Sequence, residues 1–138
     1  MTQTTSAQGR APRIRLGMVG GGQGAFIGAV HRIAARLDDQ YELVAGCFSS
    51  TPEKSAASAA ELGVPRSYDD YTQMAIREAR RKDGIEAVAI VTPNHMHAPV
   101  AREFLKRGIH VICDKPLTAT LPEAKRLVKA AEGADALF

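Results

Sequence analysis

The sequence predicts an α/β fold: a doubly wound parallel sheet with helices on both faces. Three observations predict it. From Arg13 onward, short apolar runs alternate with longer amphipathic ones, and such alternation implies parallel strands joined by helical crossovers. A glycine-rich stretch, "VGGGQGAFIG" (19–28), lies where the first apolar run meets the first amphipathic run. The run "EAVAIVT" (86–92) is apolar almost throughout, as a strand covered on both faces must be.

Each element has its own justification. "IRLGMVG" (14–20) is a strand that ends in glycines. "IGAVHRIAARL" (27–37) is a helix, because Ile27, Val30, Ile33, Ala34 and Leu37 recur at helical spacing. "YELVAGCF" (41–48) is the second strand. "TPEKSAASAAELG" (51–63) is a helix that Thr51 can cap, with Pro52 in its first turn and Gly63 at its end. "RSY" (66–68) is a short third strand. "DDYTQMAIREARRKDG" (69–84) opens with acids and closes with bases and glycine, the sense the helix dipole favours. After the strand at 86–92 come a helix (97–108), a strand (109–113) and a helix (120–133) with a Thr120-x-x-Glu123 capping box. "ALF" (136–138) reads as the start of a sixth strand. Right-handed crossovers then favour the strand order 3-2-1-4-5-6.

Composition narrows the partners. The chain has 138 residues, 45% hydrophobic and 24% charged, which suits one ordinary globular domain. Its net charge of +3 is mild, and the basic run "REARRK" (77–82) reads as a solvated helix face. No aromatics interleave it, so a nucleic-acid partner is not expected. Cys47 and Cys113 lack CxxC spacing and read as small buried hydrophobes of a reducing compartment. No apolar run approaches the ~20 residues needed to cross a bilayer, and "MTQTTSAQGRAPR" lacks the apolar middle of a secretory signal. The expectation is a cytoplasmic protein with no membrane partner, a disordered tail over 1–12 and a dinucleotide-binding domain over 13–138. A chain that stops within an apolar strand points to a C-terminal substrate domain outside these 138 residues. No metal site is expected, since His95 and His97 lack the further ligands a zinc ion needs.

The glycine stretch carries G-x-G-x-x-A as Gly20, Gly22 and Ala25. Glycine takes a positive φ without steric cost. A missing side chain lets backbone approach a pyrophosphate, and the following helix offers free N–H groups to the anion. In strand–turn–helix context this is the dinucleotide fingerprint of a Rossmann fold. Gln23, Gly24, Phe26 and Ile27 belong to the same loop and first helical turn. An acid that would hold the ribose hydroxyls is missing near the end of the second strand, where Ser49 and Ser50 stand and Lys54 follows. Two hydroxyls and an ammonium tolerate a 2′-phosphate that an aspartate would repel, so NADP is expected to be accepted; the serines also suit a helix cap. A methyltransferase with the same start is disfavoured, because it keeps that acid.

In a doubly wound sheet, ligands bind where the winding reverses, outside the carboxyl ends of the strands. That geometry brings the glycine loop, Thr92-Pro93-Asn94-His95-Met96-His97 and Cys113-Asp114-Lys115-Pro116 to one cleft. His97 is placed to cap or orient the helix it opens. His31 and His110 read as structural.

Together, "GMVGGGQGAFIGAVHR", "TPNHMHAPVA" and "HVICDKPLT" resemble the amino-terminal domain of the glucose–fructose oxidoreductase / inositol dehydrogenase (Gfo/Idh/MocA) family, from about Ile14 to Phe138. The resemblance implies an enzyme that binds NAD or NADP and oxidises or reduces hydroxyl groups of sugars, cyclitols and related polyols. It implies that Lys115 is the catalytic lysine, contacting the substrate hydroxyl and assisting proton transfer. It also implies that Thr92, Pro93, Asn94 and His95 lie against the cofactor. Asp114-Lys115-Pro116 departs from the family's usual Glu-Lys-Pro by one methylene in the acid. The family's substrate domain, with its histidine, is absent from these residues, so this stretch alone is expected to bind nucleotide and turn over little. The resemblance further implies a homo-oligomer for the full-length protein. A non-catalytic dinucleotide-sensing regulator on the same fold is the alternative; retention of Lys115 favours the enzyme.

Overall fold

β1 (Ile14–Gly20) runs through the middle of the sheet, and its alternating side chains divide the interior in two. Leu16 and Met18 enter one apolar cluster and Val19 enters the other. The computed structural model describes Gly9 and residues 11–138. Most of the tail expected over 1–12 lies outside the described residues.

The remaining elements are α1 (Phe26–Leu37), β2 (Tyr41–Cys47), α2 (Pro52–Leu62), β3 (Arg66–Ser67), α3 (Tyr71–Arg80), β4 (Ala87–Val91), α4 (His97–Leu105), β5 (His110–Cys113) and α5 (Leu121–Glu132). A single 3₁₀ turn, Asn94–Met96, precedes α4. All neighbouring strands pair in parallel, in the order β3-β2-β1-β4-β5. β4 is buried at every position. Val88 and Ile90 meet α4 side chains such as Val100 and Phe104, while Ala87, Ala89 and Val91 share the other cluster with Ala59 of α2. The sheet is thus covered on both faces, as a parallel sheet requires.

Local chemistry sets the helix ends. The Asp70 carboxylate accepts from the Gln73 amide at 2.7 Å, so α3 starts at Tyr71 rather than at the acids of residues 69 and 70. Gly63 closes α2 in a left-handed conformation, φ +67°.

The sixth strand expected at residues 136–138 does not form. Val111 N–H donates to the Leu137 carbonyl at 2.9 Å, a single ladder-like bond. The Leu137 N–H then turns to His110 Nδ1, also at 2.9 Å, instead of returning to a strand carbonyl. Pairing stops after one bond, and among the described residues the sheet has five strands.

The basic run at 77–82 also holds a surprise. Glu78 within it is buried, its side chain fully covered, and Arg66 of β3 grips it through Nε (2.8 Å) and Nη2 (3.0 Å). Removing one member of a buried pair leaves the other charge uncompensated. Glu78→Ala is therefore expected to lower stability by about 3–5 kcal/mol, read as a shift in the urea unfolding midpoint.

Candidate functional site

The parallel register aligns three carboxyl ends. Gly20 pairs with Val91, and Ile90 pairs with Cys113, so β1, β4 and β5 finish side by side. The Asp114 amide extends this order by one bond, donating to the Ile90 carbonyl at 3.0 Å.

The glycine loop is shaped by close backbone approach. Gly20 has φ +83°, and a Cβ there would sit 3.0 Å from the backbone of Val91 and Thr92. A Cβ on Gly28 would lie 2.5 Å from the Gly21 Cα. The tight contact that the fingerprint reserves for its third small residue is therefore made by Gly28; Ala25, at the corresponding sequence spacing, is exposed and precedes the first turn of α1.

Neighbours hold the loop in shape. The Gln23 amide donates to Ser58 Oγ at 3.1 Å, and Gln23 Nε2 donates to Glu61 at 2.7 Å. Arg32 Nη1 donates to the Gly21 carbonyl at 2.9 Å. Burial, then the charge of Arg36, holds the Arg32 guanidinium below its ordinary pKa. Ser58, Glu61, Arg32 and Gly28 are thus part of the site although the glycine spacing alone does not select them. A signal for Ser58 exists: Ser55 and Ser58, buried polar residues three apart, mark the inward face of α2.

A cleft of about 410 Å³ opens at the carboxyl edge. It brings together Gly20, Gly22, Gln23 and Ala25 from the loop, Ser49 and Lys54 after β2, and Thr92 and Pro93 after β4. Gly24 and Phe26 line a neighbouring recess of about 390 Å³ with Arg32 and Ser58. The Ile27 side chain packs against the apolar core instead of lining either space. Ser50, Asn94 and His95 are exposed and line neither.

Lys115 and Pro116 are exposed, and the residues around them are braced. Asp114 turns its carboxylate to His31 of α1, with Oδ1 3.2 Å from Nε2. His31, read from sequence as structural, ties the first helix to the lysine segment. His97 does not cap α4 through a side-chain bond. Its ring reaches Pro116 O from Nδ1 (2.7 Å) and Thr92 O from Nε2 (3.0 Å). Thr92 Oγ1 is buried and, among the described residues, has no hydrogen-bond partner.

Neither cysteine is poised for chemistry. Burial, then Asp70 and Asp69, pushes the Cys47 thiol up to about 12. Burial, then Asp114, pushes Cys113 up to about 11. Both are free thiols.

Residues 14–138 match the family described as "Oxidoreductase family, NAD-binding Rossmann fold" (GFO_IDH_MocA). The chain belongs to the Gfo/Idh/MocA family. Among solved structures, an oxidoreductase from Sinorhizobium meliloti is similar at 72% identity and TM-score 0.88, over 93% of this chain and 36% of that one. An inositol dehydrogenase homolog from Azotobacter vinelandii, complexed with NAD+, is 46% identical with TM-score 0.84, over 88% and 32%. A D-xylose 1-dehydrogenase (NADP(+)) of Haloferax volcanii is 34% identical over 80% of this chain and 32% of its own length. This Gfo/Idh/MocA chain spans about a third of the length of the relatives it matches. Among the described residues, no helix is long and apolar enough to cross a membrane.

Two outcomes follow from this geometry. Gly28→Ala forces the loop away from Gly21, and is expected to cost about 1–3 kcal/mol of stability and to weaken NADH binding, read by nucleotide fluorescence. A thiol raised to about 11 holds roughly a hundredfold less thiolate at pH 8 than one at its ordinary value. Alkylation of Cys113 is therefore expected to lag a free cysteine by about that factor and to accelerate as the pH rises toward 11, followed by mass spectrometry.

Proposed function

We propose that residues 13–138 form the cofactor-binding domain of an NAD(P)-dependent oxidoreductase that moves a hydride between a nicotinamide and a hydroxyl or carbonyl carbon of a sugar, cyclitol or related polyol. The observation that carries this reading is the shared carboxyl edge of β1, β4 and β5. It gathers the glycine loop, the segment after Thr92 and the Asp114–Pro116 segment. Family membership supports the redox chemistry. The names of the relatives, an inositol dehydrogenase homolog and a xylose dehydrogenase, support the polyol class.

The residues fit a dinucleotide. A Cβ at Gly22 would fall 2.7 Å from the Phe48 carbonyl, so the loop lies where only a bare backbone passes. The first turn of α1 carries no acid, which leaves its positive end to an anion. The loop amides and the start of α1 would hold the pyrophosphate. Ser49, Ser50 and Lys54 would hold the adenosine ribose and, in NADP, its 2′-phosphate. Ser49 Oγ already accepts from the Thr51 amide at 3.1 Å, which leaves its O–H to donate to a phosphate oxygen. Thr92, Pro93, Asn94 and His95 would line the path toward the nicotinamide. When bound, the cofactor supplies the hydride acceptor or donor.

Lys115 is assigned the proton at the substrate oxygen, donating it or withdrawing it as the hydride moves at the adjacent carbon. Asp114, engaged by His31, keeps the backbone on the near side of Lys115 in place. Further polypeptide would supply the substrate pocket. The free thiols Cys47 and Cys113 suit a reducing cytoplasm.

Titrating NADH and NADPH into the chain tests the cofactor reading. Both are expected to bind, with NADPH at least as tight; NADH binding tenfold tighter defeats the assignment of Ser49, Ser50 and Lys54. Lys54→Glu is expected to weaken NADPH by about tenfold, roughly 1.4 kcal/mol, with little change for NADH. In the enzyme with its substrate region present, Lys115→Ala is expected to lower turnover by at least about a hundredfold while nucleotide affinity holds; unchanged turnover removes Lys115 from the chemistry.

A further inference from the structure

His97 faces two acceptors at once. Its residue is 1% exposed. Nδ1 lies 2.7 Å from the Pro116 carbonyl, and Nε2 lies 3.0 Å from the Thr92 carbonyl. Peptide carbonyls only accept, and proline has no N–H to offer instead. A neutral imidazole carries one N–H and one lone pair. It would serve one carbonyl and set its lone pair against the other oxygen at hydrogen-bond distance, acceptor facing acceptor. Flipping the ring would exchange nitrogens for carbons and lose both contacts. With both nitrogens protonated, the ring satisfies both oxygens through charge-assisted bonds, which are shorter and stronger than neutral ones.

The surroundings otherwise oppose a cation. His97 opens α4, where the helix dipole is positive, and burial strips its hydration. Lys115 lies in the same segment as Pro116. The one nearby acid in that segment, Asp114, is engaged with His31. The two carbonyl dipoles are therefore what the ring has to hold its charge, and both point at it.

We propose that His97 is a positioning residue that acts as an imidazolium, spanning the Thr92 and Pro116 carbonyls and locking the cofactor segment after β4 to the segment that carries Lys115. One rigid ring then sets the spacing between nucleotide and lysine. The purpose of the brace rests on the cofactor reading above; the protonation of the ring does not.

Nitrogen NMR of the isotope-labelled chain at neutral pH reads the two ring nitrogens directly. Both are expected to carry protons, with and without NADH. A lone pair on either nitrogen overturns the proposal. His97→Phe and His97→Gln are then compared by NADH titration, at a temperature where circular dichroism shows each folded. Neither replacement can span both carbonyls, and NADH binding is expected to weaken by about fivefold or more, near 1 kcal/mol. A ring that served only the fold would lower the melting temperature and leave this affinity unchanged, and that result also overturns the proposal. If the unsubstituted chain binds no NADH, the cofactor reading fails; the ring spectrum still decides the state of His97.

Discussion

Parallel strands can be joined only by crossovers, so each strand begins at one edge of the sheet and ends at the other. Everything chemical in this chain depends on that constraint. Glycines, hydroxyls, histidines and a lysine scattered from Gly20 to Pro116 come to one edge because they follow β1, β2, β4 and β5. The register makes the meeting specific, since Gly20 lies level with Val91 and Ile90 with Cys113. The helices serve the same end by covering both faces, which allows β4 to be apolar at every position and to sit in the interior.

Polar contacts then convert proximity into a defined shape. Two connections at the edge are tied to elements distant in sequence. The glycine loop is held from α2 by Ser58 and Glu61 and from α1 by Arg32. Residues 114–116 are held from α1 by His31 and from α4 by His97. Such ties restrict loops that would otherwise sample many conformations, so less entropy remains to be lost when a ligand arrives.

Much of this was legible in the sequence, for a physical reason: periodicity and turn chemistry are local. The five strands, their order and the side-chain caps of α3 and α5 follow from patterns a few residues long, whereas Thr51, read as a cap for α2, makes no side-chain cap bond. The sixth strand failed because residues 136–138 make one pairing bond and then divert Leu137 to His110. α1 shows a different limit. Ile27, Val30, Ile33, Ala34 and Leu37 correctly announce a helix, yet Val30 is 42%, Ile33 54% and Leu37 77% exposed. Their spacing tells that a helix forms, not which side meets the sheet. The side that meets it carries Gly28, close against Gly21, with Ile27 and Ala35 packed on the core. The roles of His31 and Ser58 were hidden because their partners lie 83 and 35 positions away.

The diversion at Leu137 has a consequence for the molecule among its neighbours. A sheet margin with free amides and carbonyls invites another chain to add on, the route to ordered aggregates. Here one margin is β3, only two residues long. At the other, Leu137 already occupies the outward amide of Val111, and the His110 imidazole holds that segment against the strand. Within the described residues, each flank therefore offers a foreign strand fewer open groups than a long bare strand would.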